Sequence, residues 1–210
     1  MTDTVTLAPE ASRRQTTDAT DPALAAVPLA ARTRIAEPDD FVAVSARRVP
    51  INETEAWLVR FERADGTNAG PGGEHESWLV DEAGGLRGLT RMRIQEDPDN
   101  LPGEDEARAV AADFVAAVAP DLARATEESW VARHDESVRV ADGSSRGAPR
   151  TVSGMKVKCR NREDGRYFWV VVGPNCDVVT FERDIVWNTL ARRRATEQWL
   201  HDAWRFGTTE

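Results

Sequence analysis

One stretch of this chain repeats its apolar residues at helical spacing, whereas most other patterned stretches repeat them at strand spacing. Between Glu104 and Ala119, the residues Ala107, Val110, Ala111, Phe114, Val115 and Val118 recur at i, i+3, i+4 and i+7. That stripe predicts a helix with one buried face. Glu104, Asp105 and Glu106 place negative charge in its first turn, where the helix dipole favours it. Pro120 ends or kinks it. Phe114, in mid-stripe, is expected to be almost fully buried.

The flanking segments alternate with period two, as half-buried strands do. Segments 41–49, 56–63, 77–81 and 86–94 precede the helix, with Trp57, Val59 and Phe61 on one face of the second. Pro50, Asn52, the Gly-rich run 64–73 and Gly84-Gly85 supply turns between them. Segments 130–140, 151–160, 167–172 and 177–184 follow the helix. Residues 187–205 read as a C-terminal helix, on which Trp187, Ala191, Ala195, Trp199 and Ala203 trace a stripe. The predicted fold is α+β: a curved antiparallel sheet of about six to eight strands, with one long amphipathic helix packed across it and a C-terminal helix. The segments Trp78 to Ile94 and Trp169 to Ile185 echo one another, and a true duplication would give two similar half-sheets.

Residues 1–37 are rich in Thr, Ala, Asp and Pro and hold no aromatic. They are expected to form a flexible N-terminal arm, able to dock on a partner or on the body through Leu24, Val27 and Leu29. Residues 38–210 then make a single α+β domain, with a candidate half-boundary at 98–103. No basic-then-apolar layout opens the chain and no apolar run approaches the ~20 residues of a membrane span. The expectation is a cytoplasmic protein without a membrane segment.

The net charge is -9 but unevenly spread. Positions 151–210 carry ten basic and eight acidic side chains, against 17 and 28 before them. Only the C-terminal third is therefore suited to a polyanion. Lys156, Lys158 and Arg160 alternate along one predicted strand and project together as an anion-binding row. Nucleic-acid recognition usually adds aromatics beside the cations, and Phe168 is the one obvious neighbour, which argues against nucleic acid.

Known chemical signatures are missing. His75, His134 and His201 have no second His or Cys within five residues, so no metal is expected. Cys159 and Cys176 are too few for a disulfide scaffold, and Cys159 reads as a buried structural thiol. Neither a G-x-S-x-G elbow nor a phosphate-binding Gly motif occurs, and no cofactor is expected. Seven tryptophans are many for this length, and three of them fall near the C-terminus interleaved with arginines. Trp187, Arg192, Arg193, Arg194, Trp199 and Trp204 combine the residue types that interface hot spots favour.

The reading is a non-catalytic interaction protein, an accessory subunit or adaptor. Its partner is another protein or a second copy, contacted through the N-terminal arm and the C-terminal helix. The alternative is a small-molecule enzyme or binder with a pocket between helix and sheet, using Arg60, His134, Asp135 or Arg183 as polar groups.

Overall fold

Leu89 pairs with Phe181, and Thr90 with Thr180, at the centre of an eight-stranded antiparallel sheet. The computed structural model describes residues 22–140, 148–188, 190–191 and 193–206. Strands β1 (Phe41–Ile51), β2 (Thr54–Arg63), β3 (His75–Val80) and β4 (Leu86–Met92) form one meander. Strands β5 (Thr126–Val140), β6 (Ala148–Asn161), β7 (Tyr167–Val172) and β8 (Val178–Ile185) form the other. The order β1-β2-β3-β4-β8-β7-β6-β5 joins the two through their last strands.

The halves match in detail. Each meander follows helical segments, α1 (Leu29–Arg32) in the first half, α2 (Glu104–Val118) and α3 (Pro120–Arg124) in the second. Trp78 and Trp169, which open the echoing segments, lie 91 positions apart. The same shift carries Leu89 onto Thr180 and Thr90 onto Phe181, so it exchanges the two central rungs. Each half slips register between its third and fourth strands, at Leu79/Val80 in the first and at Tyr167/Trp169 and Val171/Val172 in the second, and again between its first two strands. The two halves thus share an order of helical segment followed by a four-stranded meander.

The helices cover one face of the sheet. Ala107, Ala111 and Val115 of α2 pack with Val59, Phe61, Trp78, Leu89, Val170 and Phe181 in the main core. Phe114 meets Phe181 edge-on at 5.5 Å but is only half-buried, contrary to expectation. A groove of about 190 Å³, lined by Trp78, Leu89 and Val118, opens beside it.

The N-terminal arm and the C-terminal helix fare differently against expectation. From Pro22 onward the expected arm is tied to the body: Leu24, Val27, Ala31 and Ile35 are buried in the main core, while Leu29 is exposed. Their three-to-four-residue spacing gives a narrow apolar stripe that the segment's polar average conceals. Positions 1–21 lie outside the described residues.

The C-terminal helix over 187–205 does not form. The chain makes a two-stranded ribbon of β9 (Trp187–Asn188) and β10 (Arg193–Arg194), then a strap that ends in the short helix α4 (Asp202–Phe206). Asn188 turns the ribbon, its Oδ1 accepting the Ala191 N–H at 2.9 Å. Tertiary bonds then outweigh helical propensity. Thr196 Oγ1 accepts the Val186 N–H and donates to Asn52 Oδ1, and Arg194 donates to the carbonyls of Thr196 and Glu197. The strap lies on the sheet face opposite α2. Leu200 sits close over Gly88: a Cβ there would meet its methyl at 2.8 Å, so any larger residue in β4 would push the Leu200 side chain aside.

Candidate functional site

The row Lys156, Lys158 and Arg160 shares a sheet face with a set of aromatic rings, because Lys158 pairs with both Trp130 of β5 and Trp169 of β7. Lys158 Nζ lies 4.6 Å from the ring centre of Tyr167, 5.5 Å from that of Trp187 and 5.6 Å from that of Trp130. Lys156 Nζ stands 3.8 Å over Trp169, and the Arg194 guanidinium lies 5.5 Å from that same ring. Such spacings are those of cation–π attraction. Burial pushes the ammonium pKa down at both lysines. Arg160 is exposed and donates to Gly165 O.

Phe168, the aromatic expected beside these cations, is buried on the opposite face with Cys159. The rings that accompany the row are Trp130, Tyr167, Trp169 and Trp187. Alternation carries the signal for two of them, Tyr167 and Trp169: in a strand neighbouring Lys158, residues 167 and 169 share one face and 168 takes the other, while Trp130 and Trp187 arrive only through the fold. Trp130 is 43% exposed and Trp187 45%, with Val186 and Leu190 also exposed next in the chain. The described C-terminal contact residues thus separate. Trp187 joins the Lys158 cluster, whereas Trp199 packs edge-on to the exposed Trp204 at 4.7 Å and donates its indole N–H to Pro50 O. Arg193 is exposed, Arg194 is committed to buried partners, and Arg192 lies outside the described residues.

Beneath the strap runs a chain of buried charges. His201 Nε2 donates to Glu182 Oε1 at 2.8 Å, and its Nδ1 lies 3.6 Å from Glu136 Oε2. Burial alone would lower the His201 pKa, but the two carboxylates outweigh it and lift it to about 10. Glu182 is also gripped by Arg194 at 2.7 Å. Burial opposes ionisation there too, yet His201 and Arg194 hold its carboxyl at about 2. At the other end, Asp202 is clasped by Arg60 through both oxygens at 2.8 and 3.0 Å and accepts the Gly72 N–H at 2.7 Å. Burial would raise the Asp202 carboxyl, but neighbouring cations and the Gly72 N–H keep it below its ordinary value. Among the described residues no group of three His, Cys, Asp or Glu side chains converges as metal ligands.

The four polar candidates for a small-molecule pocket occupy separate places. Arg60 on β2 binds Asp202 and Glu62. His134 on β5 pairs with Glu136 at 3.2 Å, and Asp135 with Arg133. Arg183 on β8 is spent on Asp121 and Asp184. A cavity of about 260 Å³ does lie between α2 and strands β6 and β7, but its lining is largely apolar and includes none of the four. Cys159 lines it as a thiol, its pKa lifted to about 11 by burial. That is the opposite of an activated nucleophile.

No family model, curated protein or solved structure matches this chain. Among the described residues no helix is long and apolar enough to cross a membrane.

Proposed function

We propose that this chain is a non-catalytic interaction protein, an accessory subunit or adaptor. It docks on another protein through the patch that Trp130, Tyr167, Lys158 and Trp187 form. The observation that carries the reading is Lys158 Nζ at the centre of three rings, two of them more than two-fifths exposed. Aromatic side chains offer large contact area at small entropic cost. A partly desolvated cation ringed by them suits a partner carboxylate shielded from water, the arrangement of an interface hot spot. The exposed Arg160 and Arg193 nearby favour an acidic partner surface.

Three features support this reading over the small-molecule binder. The polar candidates are scattered, the helix–sheet cavity is mostly apolar, and His201, Glu182 and Arg194 beneath the strap satisfy one another. The sheet is curved in this account: Arg139 near the end of β5 donates its backbone N–H to Gly72 O at 2.7 Å, joining the last strand in the order to the β2–β3 loop. A cytoplasmic setting is part of the proposal, since both cysteines are unpaired.

The test is photo-crosslinking in the source cell from a reactive residue placed at position 130 or 187, with position 96 as control. The proposal expects one dominant adduct from 130 and 187 and none from 96. Equal labelling from all three, or none from any, overturns it. An adduct between two copies of this chain makes the partner a second protomer.

A further inference from the structure

Asp202 occupies a pocket that the rest of the chain builds for an anion. Arg60 is 3% exposed and delivers two N–H groups to the carboxylate, while the Gly72 N–H delivers a third. Gly72 has φ +78°, a backbone conformation in which glycine is nearly strain-free, and this conformation goes with an amide turned onto the carboxylate. His75 Nδ1 lies 3.8 Å and Arg205 Nη1 3.7 Å from the same carboxylate. Arg60 is itself braced, its Nε donating to Glu62 and its Nη2 also to Gly70 O. Backbone amides in left-handed glycine turns together with a buried guanidinium are standard means of holding oxyanions.

Two side chains beside Asp202 keep buried polar atoms without hydrogen-bond partners among the described residues. His75 is 2% exposed, and its Nδ1–H is spent on Gly73 O at 2.9 Å. Its Nε2 has no hydrogen-bond partner among the described residues, and neither do Nε and Nη1 of Arg205, whose side chain is also buried. Buried polar atoms are seldom left so, because each costs the lost hydration of the group. A carboxylate brings two oxygens and no proton. A hydrogen phosphate brings three charged or accepting oxygens and one O–H donor, so it answers both kinds of unmet group.

We infer that Arg60, the Gly72 amide and His75 form an oxyanion-binding site, which takes a phosphate or carboxylate group when Asp202 is withdrawn. In the described state the strap supplies the anion from within the chain. Tethering gives Asp202 a high effective concentration, so an external anion binds only when that carboxylate is removed or displaced. None of these residues belongs to the Trp130–Trp187 patch, so this site stands or falls apart from the proposed docking surface.

The full-length Asp202→Ala variant tests the inference, with inorganic phosphate and acetate as separate probes. The readout is the denaturation midpoint against anion concentration, with the native chain and an Arg60→Met, Asp202→Ala double variant as references. The expected result is a saturable stabilisation of Asp202→Ala that neither reference shows. Preference for phosphate assigns the site to a phosphate group, and equal or better rescue by acetate assigns it to a carboxylate. Should Asp202→Ala be unfolded in plain buffer, anion-dependent refolding that the double variant lacks is the same positive result. No response to either anion, or an equal response in the double variant, overturns the assignment.

Discussion

Nε2 of His201 lies 2.8 Å from a carboxylate oxygen of Glu182, pinning the C-terminal strap to the middle of the sheet. His75, on β3, is the opposite case: burial drives its pKa down to about 4 and the folded chain holds it neutral. The signs follow from linkage. His201 is lifted from 6.5 to about 10, so its contribution is whole below pH 6.5 and is lost as pH rises through about 10. His75 is lowered from 6.5, so the unfolded chain takes up a proton first and stability falls as pH drops from 6.5 through about 4. Stability should therefore peak near pH 6.5. Urea midpoints should decline on the alkaline side, and His201→Gln should flatten that side by on the order of 1–3 kcal/mol. An alkaline limb identical in the variant would contradict the pin.

The two partners of the aromatic contact over the core should differ in cost. Phe181 is fully buried and Phe114 is half-buried beside a groove. Phe181→Ala should lose about 3–5 kcal/mol, and Phe114→Ala less, about 2 kcal/mol. Chemical denaturation reads both. The reverse order would mean that the groove beside Phe114 closes in solution.

The seam between the halves holds one buried hydroxyl pair, Thr90 and Thr180, with Oγ1 atoms 2.9 Å apart. Thr90→Val strands the Thr180 hydroxyl and should cost about 1–3 kcal/mol. Adding Thr180→Val should recover part of that loss, giving a coupling of about 0.5–3 kcal/mol in a double-mutant cycle. Simple additivity would show that the two hydroxyls do not bond.

Much of this architecture is legible in the sequence. The period-two segments place eight strands within a few residues, and the stripe from Ala107 to Val118 places α2, because both signals are local. The echo at Trp78 and Trp169 falls on the third strand of each meander. The C-terminal segment misleads because its Ala, Leu, Trp and Arg favour helix, whereas Thr196, Glu197 and Asp202 are held by Asn52 and Arg60, more than 130 positions away. Such partners have no local signature. The same holds for the cluster around Lys158, which needs three strands and the ribbon in register before Trp130, Tyr167 and Trp187 meet.

The basic row behaves differently once its rings are seen. Lys156 and Lys158 are half-buried among aromatics, and of the three cations only Arg160 is freely exposed. Three free cations would give a salt slope near -3 in log–log form, at about 0.9 per phosphate neutralised. Binding to heparin or duplex DNA should instead show a slope of about -1 or none. A slope of -3, lost in a Lys156→Gln, Lys158→Gln, Arg160→Gln variant, would restore the row as a polyanion site.

The central claim is that the surface around Lys158 is the contact site, and affinity for the crosslinked partner tests it most directly. The partner is purified and its Kd measured for the native chain, for Trp130→Ala, Trp187→Ala, and for Trp204→Ala, each checked for native circular dichroism. The account predicts that the double variant binds at least about 30-fold more weakly, the loss of a hot spot worth roughly 2 kcal/mol, while Trp204→Ala stays within about threefold of native. A folded double variant with native affinity, or a greater loss in Trp204→Ala, would contradict it.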